Sequence, residues 1–310
     1  AAKAVQTAAA SAAPATSAAV AAPTATAAPT ATIEPTAAPA RTFTPAYDAK
    51  VSDSTDLNLS NLTDEHTSRY GVTTKDNGVM RTKLTALQLT EAMGLGWNLG
   101  NALDESNYVG LNTTVEECEK NAGNPSATQK LFDGLKTYGI NTIRIPVAWS
   151  NLMSTDGTYT INEGYFNRVE EVMNYCLNNE MYVIINIHWD GGWWGMFGDA
   201  DLSVREEAWK KYEAFWKQIA DRYMEYSDHL IFDGANEELG DRLNDDWKTW
   251  GDQTGVLTQA EYEETALKLN QKFVDLVRAS GGNNKYRMLL IPGLNTNTDY
   301  TCSDAFTMPE

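Results

Sequence analysis

Asn236 and Glu237 are the residues whose types and place in this chain point first to chemistry. They follow the apolar run Leu230-Ile231-Phe232 within HLIFDGANEELG, residues 229 to 240, the pattern of a buried strand that surfaces into a site. A carboxyl group at such a mouth is of the type used for proton transfer. A second local reading makes Glu237 the start of a solvated loop, the ordinary fate of a charged residue.

Company elsewhere weighs between the two. Other apolar runs break at Asn98, Arg144, His188 and Asn295, all polar, and in a parallel barrel such strand ends converge on one mouth. Arg144 lies inside an apolar strand with Pro146 two places on, so it needs a carboxylate partner, either within the site or as a structural ion pair. His188 is followed directly by Trp189, Asp190, Gly191, Gly192, Trp193 and Trp194. Trp193 and Trp194 on such a glycine-rich loop read as flat platforms for pyranose rings; the competing reading is a tryptophan cluster packed under the rim.

The elements that must position these residues alternate in period. A short helix near 85–92 leads to MGLGWNLGN (93–101). Ser126-Ala127-Thr128-Gln129 has the form of a capping box and predicts a helix with Leu131, Phe132, Leu135 and Tyr138 on one face, closed by Gly139. Strand-like INTIRIPVAW (140–149) follows, then a helix bearing Tyr165, Phe166, Val169, Val172, Met173 and Leu177, then MYVIINIHWDGGWW (181–194). A third helix places Trp209, Tyr212, Phe215, Trp216, Ile219 and Tyr223 together. After the 230s strand, Thr258-Gln259-Ala260-Glu261 caps a fourth helix that stops at Gly281-Gly282, and YRMLLIPGLNTN (286–297) is the fifth strand. Runs such as Val183-Ile184-Ile185 and Met288-Leu289-Leu290-Ile291 predict a sheet covered on both faces. Five strands in one direction suit a doubly wound α/β sheet or an unfinished barrel.

Composition excludes several classes. The chain has 310 residues, nine Trp and fourteen Tyr, enough for a sizeable core. A net charge of −18 argues against nucleic acid and against an anionic membrane surface, which need clustered Lys and Arg. No apolar run is long enough to span a membrane. Cys118, Cys176 and Cys302 match no metal or redox spacing, Cys176 reading as a small core hydrophobe, and His66, His188 and His229 form no HExxH. No Walker-type or GxGxxG loop is present, so neither cofactor nor metal is expected.

Residues 1–42 are dominated by Ala, Thr, Pro and Ser, a composition with too little large apolar surface to offset the entropy of ordering. They read as a disordered linker, with an ordinary disordered tail as the equal alternative, and as a linker they would tether a further module. Residues 43–85 read as a loosely structured lead-in carrying the sequons at Asn58 and Asn61, and 86–310 as the main domain. The chain begins without Met and shows no signal peptide. It reads as processed or as a fragment, so that absence says little about export.

The motifs GWNLGN (96–101), NTIRIPVAW (141–149), VIINIH (183–188) and LIFDGANEELG (230–240), in that order, resemble glycoside hydrolase family 5 in its cellulase branch, over about residues 86 to 300. The resemblance implies an α/β fold, a (β/α)8 TIM barrel, truncated here after about the fifth strand. It implies a secreted endoglucanase that cleaves internal β-1,4-glucosidic bonds of a cellulose-type polysaccharide by a retaining two-glutamate mechanism. Glu237 matches the acid/base, Asn236 the ligand of the sugar 2-hydroxyl, Arg144 the arginine that supports the nucleophile, and His188 the strand-three histidine of the substrate site; Asn98 and Asn295 stand at substrate-facing strand ends. The family's commoner NEP reads Asn236-Glu237-Glu238 here, and its frequent second His reads Trp189. The nucleophilic Glu of the seventh strand has no counterpart, so the chain alone is expected to be inactive and Arg144 to lose the carboxylate that the resemblance assigns it. Hydrolysis of xyloglucan, lichenan, xylan or mannan, or glycan binding without catalysis, are the alternatives.

Overall fold

The computed structural model describes residues 47–106, 113–249 and 252–310, and the expected linker at 1–42 lies outside them. Residues 47–81, expected to be loosely structured, instead carry four short strands: β1 (Lys50–Ser52), β2 (Leu62–Thr67), β3 (Thr73–Asp76) and β4 (Val79–Arg81). β1 pairs parallel with β4, and β2 pairs antiparallel with β3. Hydrophobic periodicity could not reveal β3, because the two residues it buries, Thr74 and Asp76, are polar.

Polar contacts fasten this lead-in. Asp76 accepts from the Ser227 backbone N–H at 2.7 Å and the Ser227 hydroxyl at 2.6 Å. Arg81 donates through Nε and Nη2 to the two oxygens of Asp228, at 2.7 and 3.0 Å. Asn283 donates to the carbonyls of Gly78 and Tyr226 at 2.8 and 2.9 Å. These partners surround the turn that enters the 230s strand, the end of a parallel barrel that serves stability. Of the two sequons, Asn58 is exposed, whereas Asn61 is buried with its Nδ2 on Asp76, leaving no room there for a glycan.

The alternation then runs as α1 (Ala86–Met93), β5 (Gly96–Asn98), α2 (Val115–Lys120), α3 (Gln129–Thr137), β6 (Thr142–Ile145), α4 (Glu163–Leu177), β7 (Tyr182–Asn186), α5 (Leu202–Tyr223), β8 (Leu230–Asp233), α6 (Gln259–Ser280), β9 (Leu289–Leu290) and α7 (Thr298–Thr301). Thr85 and Thr258 close capping boxes on α1 and α6. The box expected at Ser126 does not form; α3 starts at Gln129 behind Thr128, whose side chain makes no capping bond.

The five strands form one parallel sheet in the order β5-β6-β7-β8-β9. A doubly wound sheet reverses its strand order at a switch point; this one adds each strand beside the last, as a barrel does. Strand residues alternate between faces. Ile143, Ile145, Val183, Ile185, Leu230 and Phe232 point outward into the helices and are wholly buried. Tyr182, Ile184 and Ile231 point inward, where Leu89 of α1 packs on them. Coverage of both faces holds for β6 to β8 and fails at the edges: Leu290 is 45% exposed and Trp97 39%, since β5 and β9 each have a neighbour on one side only among the described residues.

Candidate active site

Toward the strands' C-terminal ends the inward face turns polar. Asn98, Arg144 and Ile184 share one level of the sheet, and Asn186 and Asp233 share the next. Arg144 reaches across. Its Nη2 donates to Asp233 Oδ2 at 2.9 Å and to Asn236 Oδ1 at 3.0 Å, its Nε to Asp233 Oδ2 at 3.1 Å, and its Nη1 to Asn98 Oδ1 at 3.4 Å. The carboxylate partner that a guanidinium in an apolar strand needs is thus Asp233, the acid of a structural ion pair. Asp233 is nearly fully buried, and burial pushes its carboxyl up to about 6 against the opposing pull of Arg144.

His188 sits beside this layer. The Val147 N–H donates to Asn186 Oδ1 at 3.3 Å, which turns Asn186 Nδ2 toward His188 Nδ1, also at 3.3 Å. Nδ1 therefore accepts, and in the neutral ring the proton is on Nε2, facing Asp104 Oδ2 at 3.9 Å. Burial lowers the imidazole to about 4, with Arg144 adding to the fall and Asp104 and Glu237 opposing it.

β8 ends at Asp233, and the chain turns through Gly234. A Cβ there would lie 3.0 Å from Phe273 and 3.1 Å from Pro292, so the smallest residue lets α6 and the loop after β9 close on the turn. Asn236 is half-buried and bonded to Arg144, while Glu237 is exposed at the mouth with its carboxylate 3.0 Å from Arg242 Nη2. Glu238 points the other way and is 1% exposed.

Three expected substrate residues are placed elsewhere. Trp193 and Trp194 are 4% and 1% exposed and stack on each other with centroids 4.8 Å apart. Trp193 Nε1 donates to Asp190 at 2.8 Å, Trp194 Nε1 to the His188 carbonyl at 2.9 Å, and Lys211 Nζ lies 4.6 Å over the Trp193 ring. Gly191 and Gly192, at φ 74° and 71°, turn the chain so that both rings fold under the rim. They are core, not platforms. Asn295 Oδ1 accepts from the Asp241 N–H at 2.7 Å and the Asn295 N–H donates to the Leu239 carbonyl at 2.8 Å, so Asn295 ties the loop after β9 to the loop after Glu238 instead of facing a ligand.

Three residues escaped the sequence reading: Asp233, Asn186 and Asp104. Strand parity alone would have found Asp233, because Leu230 and Phe232 face outward and Ile231 and Asp233 therefore face inward. Among the described residues no cluster of three His, Cys, Asp or Glu could hold a metal ion. The arrangement is a carboxyl group at the rim of a hydrogen-bonded polar floor, suited to binding hydroxyl-rich ligands and exchanging protons with them.

The family model described as cellulase (glycosyl hydrolase family 5) matches residues 103–310. An endoglucanase A of Paenibacillus barcinonensis is 37% identical over 77% of this chain and 56% of its own length. A xyloglucan-specific endo-beta-1,4-glucanase of Bacteroides ovatus is 38% identical over 76% of this chain and 43% of its own. Among solved structures, a broad-specificity endoglucanase from Ruminococcus champanellensis with bound cellotriose superposes with a TM-score of 0.62 at 34% identity, covering 73% of this chain and 62% of that one. The chain spans about half the length of the curated relatives it matches. With the matched region taking in every strand from β6 to β9 and both Arg144 and Glu237, the chain belongs to glycosyl hydrolase family 5, the cellulase family.

Proposed function

We propose that the protein hydrolyses internal β-1,4-glucosidic bonds of cellulose-type glucans with retention of configuration. The observation that carries this reading is the floor Asn98–Arg144–Asp233–Asn236, hydrogen-bonded throughout and ending at Glu237. Glu237 is the acid/base: it protonates the leaving oxygen and later takes a proton from water. Asn236 bonds the 2-hydroxyl through the amide group that Arg144 orients. Neutral His188 offers Nε2–H to a sugar hydroxyl without placing a second charge in the site. Retention also needs a carboxylate roughly 5 to 5.5 Å from the acid; among the described residues Asp233 is pinned by Arg144 and Glu238 is buried, so neither fills that role.

A second reading, hydrolysis of a branched β-1,4-glucan, draws support from the xyloglucan-specific relative. Extracellular action follows from the substrate, a polymer too large to be taken up, and the Ala/Pro/Thr-rich residues 1–42 would tether the domain to a further module. The test is reducing-end release from carboxymethyl-cellulose and from xyloglucan by a form as long as the curated relatives, beside its Glu237→Gln variant. Release on the first that falls by about 10²-fold or more in the variant supports the reading; release unchanged by the substitution refutes it.

A further inference from the structure

We propose that Glu238 is a positioning residue, whose buried carboxyl holds the backbone of the turn that carries Asn236 and Glu237. This rests on the reading of that pair as the sugar-binding and proton-transferring residues. Glu238 Oε2 accepts the Asn236 N–H at 2.9 Å, closing a ring over the residue between them. The residue is 1% exposed, and Ala235 and Leu239 in the same turn are equally buried, at 2% each. Its other oxygen, Oε1, has no hydrogen-bond partner among the described residues.

Burying a carboxyl group with one oxygen unpaired is costly, and Ala or Leu at this position would avoid the cost. What the carboxyl supplies is an acceptor for Asn236. The amide group of Asn236 is committed to Arg144 at 3.0 Å, so fixing its backbone fixes that contact, and Glu237 stands between the two anchored residues. Burial pushes the Glu238 carboxyl up to about 8, so near neutral pH it is protonated, accepts through its carbonyl oxygen and puts no second negative charge behind Glu237. Its burial also separates it from substrate, which rules out a role as the attacking carboxylate.

The test is hydrogen–deuterium exchange resolved to the Asn236 amide in the 310-residue chain, with Glu238→Ala and Glu238→Gln, and with cellotetraose titrated into each. Loss of one hydrogen bond predicts about tenfold faster exchange at Asn236 in Glu238→Ala, unchanged exchange at Ile185 and Phe232, and weaker cellotetraose binding. Glu238→Gln keeps the carbonyl acceptor and restores both. Equal effects of the two substitutions, no change at Asn236 in Glu238→Ala, or faster exchange at Ile185 and Phe232 to the same degree would each overturn the proposal. The expected exchange pattern with no cellotetraose binding by any form, the unsubstituted chain included, supports the hold on the turn and counts instead against the proposed function.

Discussion

Arg144 and Asp233 lie 89 residues apart in sequence and meet at 2.9 Å, Nη2 to Oδ2, with Nε of the same arginine on the same oxygen at 3.1 Å. One strand separates them, since β7 runs between β6 and β8, so the pair spans the inner face and fixes the floor on which Asn98 and Asn236 depend. The Asp233 side chain is 4% exposed and that of Arg144 23%.

Removing the acid should leave the guanidinium half-buried without a counter-charge. Asp233→Ala is expected to cost about 3 kcal/mol, the lower end for a broken buried pair because Arg144 keeps some solvent. Chemical denaturation of the two forms measures this; a loss under about 1 kcal/mol would make the pair a surface-like contact.

Trp193→Ala should cost about 3 to 5 kcal/mol in stability, as expected for emptying a packed aromatic site, and should leave oligosaccharide affinity per folded molecule unchanged. Calorimetric unfolding combined with a cellotetraose titration separates the two effects. Weakened binding with an unchanged melting temperature would return the ring to the lip.

His188 should stay neutral to about pH 4. Its folded pKa lies below the unfolded value, so between about 6.5 and 4 the unfolded chain binds the extra proton; the contribution to stability is complete above about 6.5 and is lost as pH falls toward 4. Following the imidazole by NMR checks the titration, and His188→Asn should lower the slope of stability against pH in that window.

In a form as long as the curated relatives, Glu237→Gln should abolish cellulose hydrolysis while an aryl glycoside with a good leaving group keeps more of its glycosylation step, because only the first needs the proton. Equal small losses on both substrates would remove Glu237 from that role. The 310-residue chain alone should release no reducing sugar, Asp233 and Glu238 being committed elsewhere.

Asp76→Ala should cost about 3 kcal/mol, since it strips acceptors from the Ser227 N–H and hydroxyl, both buried. Limited proteolysis should then cut first within residues 52–76, which shows as early loss of the lead-in from an intact barrel domain.

The sequence by itself determined the β/α alternation, the buried faces of α4 and α5, and the strand ends Asn98, Arg144, His188 and Asn236-Glu237, because periods of 2 and 3.6 and the break of an apolar run are local properties. Tertiary structure decided what those ends touch. Asp233 reads as one more polar letter after Leu-Ile-Phe until the pairing of β6, β7 and β8 sets Arg144 within reach. Trp193 and Trp194 have the same residue types whether they form a lip or a core, and the left-handed turn at Gly191-Gly192, with the Asp190 carboxylate and the His188 carbonyl waiting as acceptors, sends them inward. Residues 47–81 became ordered strands through Asp76, Arg81 and Asn283, whose partners lie 147 to 205 positions away. A hydrogen bond is a relation between two places in space, and chain folding alone brings such distant places together.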